Sequence, residues 1–417
     1  MRSTSLLAAV CGLAVLSTGR AQAQVNTAQD TAYDPIQTLV DRLDLEKYKA
    51  TIRGLAQFGD RRQGTKRNRD AVDWIEAQLK SYGCQNVERI TYEYNPAPRG
   101  NTAGAGRGGG GAGRGRGNTP SPNGRGRPGN GPGGSRIFSD MRERGGADSS
   151  SQPDPVLRAL NSEPSTPGQR QQVMCMKVGT KYPNEMYIIG GHMDGIGWGQ
   201  AVNDDASGSA IVMEIARIMS MPDVQTERSI RFALWNNEET GLNGARAYVE
   251  QRAGLQGKED PPGSGRYPEP RWLAMIQHDM MMWDHGMPRA DGTWNPEQRP
   301  EADVNIEFAI TSKFADEAMK LAFFWKRTND KYSTHYPASV GPYMTNTDSD
   351  PFKDLIPALS LRENERGAHI GGNWDPTHHQ PIDVLTTFTD KDFMLGLASA
   401  QTTLGALGQL TGATVKR

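Results

Sequence analysis

From Met186 onward the sequence alternates apolar runs with helical patterns, and this rhythm restricts the fold more than any other feature. EMYIIGG (Glu185 to Gly191) is followed by a helical pattern from about Ala206 to Met219. SIRFALW (Ser229 to Trp235), a second helical pattern near Asn243 to Gln251, and WLAMIQ (Trp272 to Gln277) continue it. Strands that alternate with helices build a sheet covered by those helices. A later strand, PALSL at Pro357 to Leu361, precedes a C-terminal helix from near Asp390 whose buried face is Phe393, Leu397, Ala400, Leu404 and Leu407. Upstream, a helix beginning near Asp70 places Val72, Ile75 and Leu79 on one face, and VERITYEY (Val87 to Tyr94) and QQVMCMKVG read as strands. The expected fold is a single α/β domain with a central mixed, mainly parallel β-sheet flanked by helices.

One segment departs from this pattern. From Pro96 to about Pro167 the chain is rich in Gly, Pro, Arg and Ser, and between Arg99 and Arg136 it carries seven arginines and no acid. Such a stretch buries too little apolar surface to offset its ordering entropy. Because strands flank it, it reads as a long disordered insertion, about 96–167, within one domain. The arginines invite comparison with segments that bind single-stranded nucleic acid, but stacking aromatics are missing over that span. With a net charge of -1, the whole chain points to no polyanionic partner, so no nucleic acid is expected.

The first residues carry Arg2, an apolar stretch from Leu6 to Leu16, and Ala21-Gln22-Ala23. That order is the pattern of a secretory signal peptide, residues 1–23, removed on export. The apolar run is too short to span a bilayer and no later run approaches twenty apolar residues, so no transmembrane anchor is expected. A secreted or periplasmic protein follows. Cys11 leaves with the signal, and Cys84 and Cys175 then meet an oxidising compartment in which a disulfide is permitted and free buried thiols are the alternative.

Acids and histidines gather where strands should end. In His192-Met193-Asp194 the two polar side chains point to one side of an extended backbone, which suits a metal-binding imidazole oriented by a carboxylate. A structural His-Asp pair is the plainer explanation of that motif alone. Asn203-Asp204-Asp205 heads the next helix, where capping accounts for one acid but not both. Glu238-Glu239, His278-Asp279 and the pair His378-His379 follow at later strand ends or loops. Ligands of open α/β sheets bind outside the carboxyl ends of the strands, so one metal site explains all of these together. Imidazoles and carboxylates without thiolates suit zinc. A bridging carboxylate with one His and one acid on each side would hold two ions roughly 3.5 to 4 Å apart.

The motifs HMD, NDDASG, NEETGLNGA, HD and HHQPID together resemble the M28 family of zinc peptidases, which includes secreted bacterial aminopeptidases. The stretch from Leu43 to Tyr94, including FGDRRQGTKRNRDAVDWI, is similar to the family's N-terminal part, while the Gly/Arg-rich insertion has no counterpart. The resemblance implies that Asp204 bridges two Zn2+ ions, with His192 and Asp279 completing one site and Glu239 and His379 the other. It also implies that Asp194 orients His192 and that Glu238 is the general base, taking a proton from the attacking water and passing it to the leaving amine. His379 rather than His378 matches, because Asp383 stands four residues beyond it. Where many relatives carry Ser-Asp-His, this chain has Thr347-Asp348-Ser349.

Met280 to Trp283 read as packing beside the site, and Trp198 as a cover for the cleft or an anchor for its loop. His278, His285, His335 and His369 have no matched role. The implied function is an exported di-zinc exopeptidase, an aminopeptidase acting on free N-termini of peptides or proteins in preference to a carboxypeptidase. Glutaminyl cyclisation at a single zinc, and a non-catalytic binding ectodomain of the same fold, are the competing readings.

Overall fold

The computed structural model describes residues 33–95, 149–286, 289, 291, 293–363 and 375–417. The expected signal peptide, the most Gly/Arg-rich part of the insertion (96–148) and His369 lie outside the described residues.

Three helices open the domain: α1 (Pro35–Val40), α2 (Leu45–Ala56) and α3 (Lys66–Ser81). Apolar spacing placed the start of α3 near Asp70. It starts at Lys66 instead, because the extended Thr65 accepts the Asn68 N–H and turns KRNR into the first helical turn. β1 (Gln85–Tyr94) precedes residues 96–148, and α4 (Pro155–Asn161) and β2 (Gly168–Lys177) follow them.

Helix α4 shortens the expected insertion at its C-terminal side. Asp154 caps it by accepting the N–H groups of Val156 and Leu157, and Pro155 supplies a first helical residue that needs no donor. Leu157 and Asn161 are buried. Asn161 donates to Gly199 O (2.7 Å) and accepts from Asp60 N (3.1 Å), which fastens α4 to the rest of the domain. A cap and two buried side chains outweigh the surrounding Gly/Pro-rich composition.

The expected alternation then appears as β3 (Tyr182–His192), α5 (Gly208–Met219), β5 (Arg228–Trp235), α6 (Asn243–Arg252) and β6 (Arg271–His278), with an unexpected two-residue strand, β4 (Val224–Gln225), before β5. Three further elements were not anticipated: β7 (Val304–Phe308), α7 (Ala315–Tyr332) and β8 (Ala338–Gly341). β9 (Ala358–Arg362), α8 (Asp390–Thr411) and β10 (Thr414–Val415) complete the chain.

Eight strands form one sheet in the order β1-β2-β5-β3-β6-β9-β7-β8. β5, β3, β6 and β9 pair in parallel, as do β7 and β8, while β1-β2, β2-β5 and β7-β9 are antiparallel. The mixed, mainly parallel sheet is as expected. Alternate strand residues enter two cores: Ile189, Phe232, Leu234 and Ile276 face the layer containing α2, α5 and α8, whereas Ile188, Ala233, Trp235 and Met275 face α6. Cys84 and Cys175 form a disulfide that joins the turn before β1 to β2.

The chain leaves β3 through α5 to β5, then passes through α6 to β6 on the other side of β3. The two crossovers leave the neighbouring carboxyl ends of β3 and β5 toward opposite faces of the sheet, which is where ligands of open α/β sheets bind. Gly191 lets α5 approach this end: a Cβ on it would lie 2.6 Å from backbone atoms of Gly208 and Ser209. His192 is the last residue of β3.

Candidate metal centre

The loop from Val202 to Ser207 separates the roles of its two acids. Asp205 accepts N–H groups: His192 N at 3.0 Å, Gly208 N at 2.9 Å and Met280 N at 3.2 Å. It is the capping acid. Asp204 instead places Oδ1 3.2 Å from His192 Nε2 and Oδ2 3.1 Å from His379 Nε2. His378 is also drawn in, its Nε2 lying 3.5 Å from the same Oδ2.

The remaining expected ligands converge on this carboxylate. Glu239 Oε2 lies 2.9 Å from His379 Nε2, and Asp279 Oδ1 lies 3.9 Å from His192 Nε2. Donor atoms of His192, Asp204 and Glu239 all fall within 4.8 Å of one another, as do those of Asp204, His378 and His379. Glu238 belongs to neither group. All five expected ligands therefore meet at one place, with Glu238 beside them.

Asp194 acts differently from the expectation. His192 Nδ1 faces the backbone carbonyl of Asp194 at 2.9 Å, while the nearer carboxylate oxygen is 3.8 Å away. That carboxylate instead accepts the N–H groups of Glu238 (3.1 Å) and Glu239 (3.4 Å). It fixes the turn carrying the two glutamates. Asn236 holds the same turn to α3 by a reciprocal amide pair with Asn68, both bonds at 3.0 Å.

Two positioning residues stand in the sequence only as parts of motifs, with no role of their own. Asp383 accepts the N–H groups of Val202, Asn203 and Asp204. Arg61, from FGDRRQG, is fully buried and donates to the carbonyls of Met193, Gln200 and Ala201, each at 2.7 Å, and of Gly59 at 3.0 Å. Burial lowers its pKa, while nearby acids favour its charge. Their work is done on backbone groups, which leave no residue-type pattern.

Acids outnumber imidazoles here. Burial pushes the Asp194 carboxyl up to about 6. Burial also raises Asp348, and the neighbouring Glu238 charge raises it further. Burial opposes charge on His379, yet Glu239 and Asp204 outweigh it and bring its pKa to about 10. Such a cluster favours cations.

The other singled-out residues are accounted for locally. His278 is a core histidine whose Nδ1 faces Gly190 O (3.2 Å) and whose Nε2 faces Thr403 Oγ1 (2.9 Å); burial lowers its pKa to about 4. His285 stacks on Trp283 with ring centroids 3.6 Å apart and pairs with Asp392 at 2.7 Å, and His335 is exposed. The N–H groups of Met281 and Met282 bond Ser207 Oγ and Asn203 Oδ1, locking that stretch against the 202–207 loop. Thr347, Asp348 and Ser349 are fully buried, and Gln277 donates to Asp348 at 3.3 Å. Trp198 is half-buried, its carbonyl held by Gln152 at 2.7 Å. No helix among the described residues is long and apolar enough to cross a membrane.

The sequence profile of Peptidase family M28 matches residues 173–395, more than half of the chain. The chain belongs to peptidase family M28. It is 40% identical over 67 residues to leupeptin-inactivating enzyme 1 of Streptomyces exfoliatus, a match covering 16% of this chain and 15% of that protein. Carboxypeptidase Q of Xenopus laevis is 37% identical over 73 residues (18% and 16%), and an aminopeptidase of Pseudomonas aeruginosa strain UCBPP-PA14 is 37% identical over 71 (17% and 13%). These matches span only about one sixth of each relative or less.

Among solved structures, an aminopeptidase from Aneurinibacillus sp. strain AM-1 superposes with TM-score 0.55 at 18% identity, over 91% of this chain and 96% of that one. Porphyromonas gingivalis glutaminyl cyclase gives 0.50 at 14% identity, over 88% and 98%. At these identities the likeness is one of fold. The match places the chain in a peptidase family, and zinc is the metal that membership implies. The residues fit that metal: the donors are imidazole and carboxylate, and Glu239 Oε1 is buried without a hydrogen-bond partner among the described residues.

Proposed function

We propose that this member of peptidase family M28 is an exported di-zinc aminopeptidase. The observation that carries the reading is the two-sided use of Asp204, whose two oxygens face two different histidines at 3.2 and 3.1 Å. His192 and Asp279 would complete one site, and Glu239 and His379 the other. When bound, the ions would supply Lewis-acid polarisation of the scissile carbonyl and would acidify a water molecule.

The chain's own residues would do the rest. Glu238 would take the proton of the attacking water and deliver it to the leaving amine. Its backbone N–H, held by Asp194 at 3.1 Å, fixes where that carboxylate starts from. The Asp194 carbonyl at 2.9 Å from Nδ1 sets the tautomer of His192, leaving Nε2 for the metal. An acid-rich crevice also suits the ammonium of a free N-terminus. Export is supported by the signal-like first residues and by the Cys84–Cys175 disulfide, which needs an oxidising compartment.

Cyclisation at one zinc would leave His192 and the second oxygen of Asp204 without a metal to hold. The test uses one peptide in three forms: free, N-acetylated and C-amidated. Release of the first residue from the free and amidated forms, but not from the acetylated form, is expected. Shortening of the acetylated peptide from its C-terminus would make the protein a carboxypeptidase.

A further inference from the structure

β9 lies between β6 and β7 and ends on Arg362, whose side chain is only 1% exposed. Nη2 of Arg362 lies 3.2 Å from Asp279 Oδ2, and Nε lies 3.6 Å from Glu307 Oε2. Nη2 also donates to Thr345 O at 3.4 Å. Asp279 follows β6 and Glu307 belongs to β7, so three neighbouring strands contribute one row of acid, base and acid. All three residues are buried.

A buried guanidinium is costly unless carboxylates compensate it, and here two do so. Glu307 is in turn fixed by Asn305, whose Nδ2 donates to Oε1 at 3.1 Å. The consequence falls on Asp279. Its Oδ2 is committed to Arg362, and its Oδ1 is the oxygen 3.9 Å from His192 Nε2. A carboxylate held this way offers the metal one oxygen in one direction. Unheld, it would be free to chelate with both or to rotate away.

We propose that Arg362 is a positioning residue that makes Asp279 a one-oxygen metal ligand, with Glu307 balancing its charge. This rests on the di-zinc reading above. Arg362 does not face the reacting atoms itself and acts only through Asp279, so its influence is confined to the ion shared by His192 and Asp279. The Glu239/His379 side is untouched by the row.

The test is a chelator-competition titration of the zinc-free mature protein, wild type first, then the double variant R362Q/E307Q and the single variant R362K. The double variant removes one positive and one negative charge together, so the row keeps its net charge while Asp279 loses the group that holds it. Lys at position 362 keeps the charge but reaches only one of the two carboxylates. Both variants are expected to bind one ion as tightly as wild type and the other about 10 to 100-fold more weakly, the range for losing a group that orients a ligand. In the cobalt-substituted protein the visible spectrum of that one ion should change while the other is preserved.

If Arg362 serves only as the partner of Glu307, R362Q/E307Q will hold both ions as wild type does, and the inference is overturned. Equal weakening of both ions would overturn it too, because the clamp acts on one ligand. Should the double variant fail to fold, R362K read in the same way decides. A wild-type protein that takes fewer than two ions would sink the di-zinc reading first, and this inference with it.

Discussion

Asp383 accepts the backbone N–H of Asp204 at 3.2 Å through Oδ2, while its Oδ1 takes those of Val202 and Asn203 at 3.0 and 2.8 Å. One carboxylate thus sets the backbone that aims Asp204 between His192 and His379. Asp383→Asn would replace an acceptor by an NH2 group facing a buried N–H. We expect a loss of about 1–3 kcal/mol in the zinc-free protein, the cost of an unsatisfied buried donor. Zinc affinity should fall about 10 to 100-fold. Denaturant melts and chelator competition read the two effects, and unchanged zinc binding would show that Arg61 holds the loop without help.

The adjacent glutamates should separate cleanly. Glu238→Gln keeps volume and removes the base, so zinc binding and folding should persist while turnover falls at least ~100-fold. Glu239→Gln exchanges a charged donor for a neutral one, and zinc occupancy should drop together with the stability that the ion confers. Metal analysis and a melting curve on both variants decide the assignment. Zinc loss from Glu238→Gln with retention in Glu239→Gln would reverse the two roles.

Deleting residues 97–148 and rejoining the chain through a short flexible loop should preserve folding and peptidase turnover. Loop-closure entropy changes by only about 0.6 kcal/mol per doubling of length. The cut must stop before 149. Asn161→Ala should destabilise by about 1–3 kcal/mol, since it leaves Gly199 O and Asp60 N without their partner. Equal melting of the Asn161→Ala variant and the parent would contradict the account of α4.

The Cys84–Cys175 disulfide closes a separation of 91 residues. Replacing both cysteines by serine should cost about 4.6 kcal/mol on the chain-entropy estimate, measured by denaturant unfolding of the oxidised parent and the variant. A variant as stable as the parent would show that the two ends are held equally well by β1-β2 pairing.

The site was legible where a polar residue interrupts an apolar run. His192, Glu239 and Asp279 each follow a strand that the sequence marks clearly, and the parallel centre of the sheet is legible for the same reason. The actions of Asp383, Arg61 and Asn236 were not, because the first two work on backbone groups and Asn236 on the Asn68 amide, and nothing in residue type announces that. β7 escaped notice because Asn305 and Glu307, both buried, give VNIEF the look of a solvated edge. Their burial makes sense only once Arg362 has arrived from a strand far along the chain. Asp194 was legible as a partner of the site but not in its action, since the choice between its carbonyl and its carboxylate is made by the turn at Glu238.

The central claim is that Asp204 serves two ions at once. Zinc content per chain, measured on the purified mature protein and on Asp204→Ala at matched free zinc, tests it most directly. The account predicts two ions per chain in the wild type, with both sites weakened together in Asp204→Ala and peptide hydrolysis lost. A wild type that saturates at one ion, or an Asp204→Ala protein that still holds two, would contradict it.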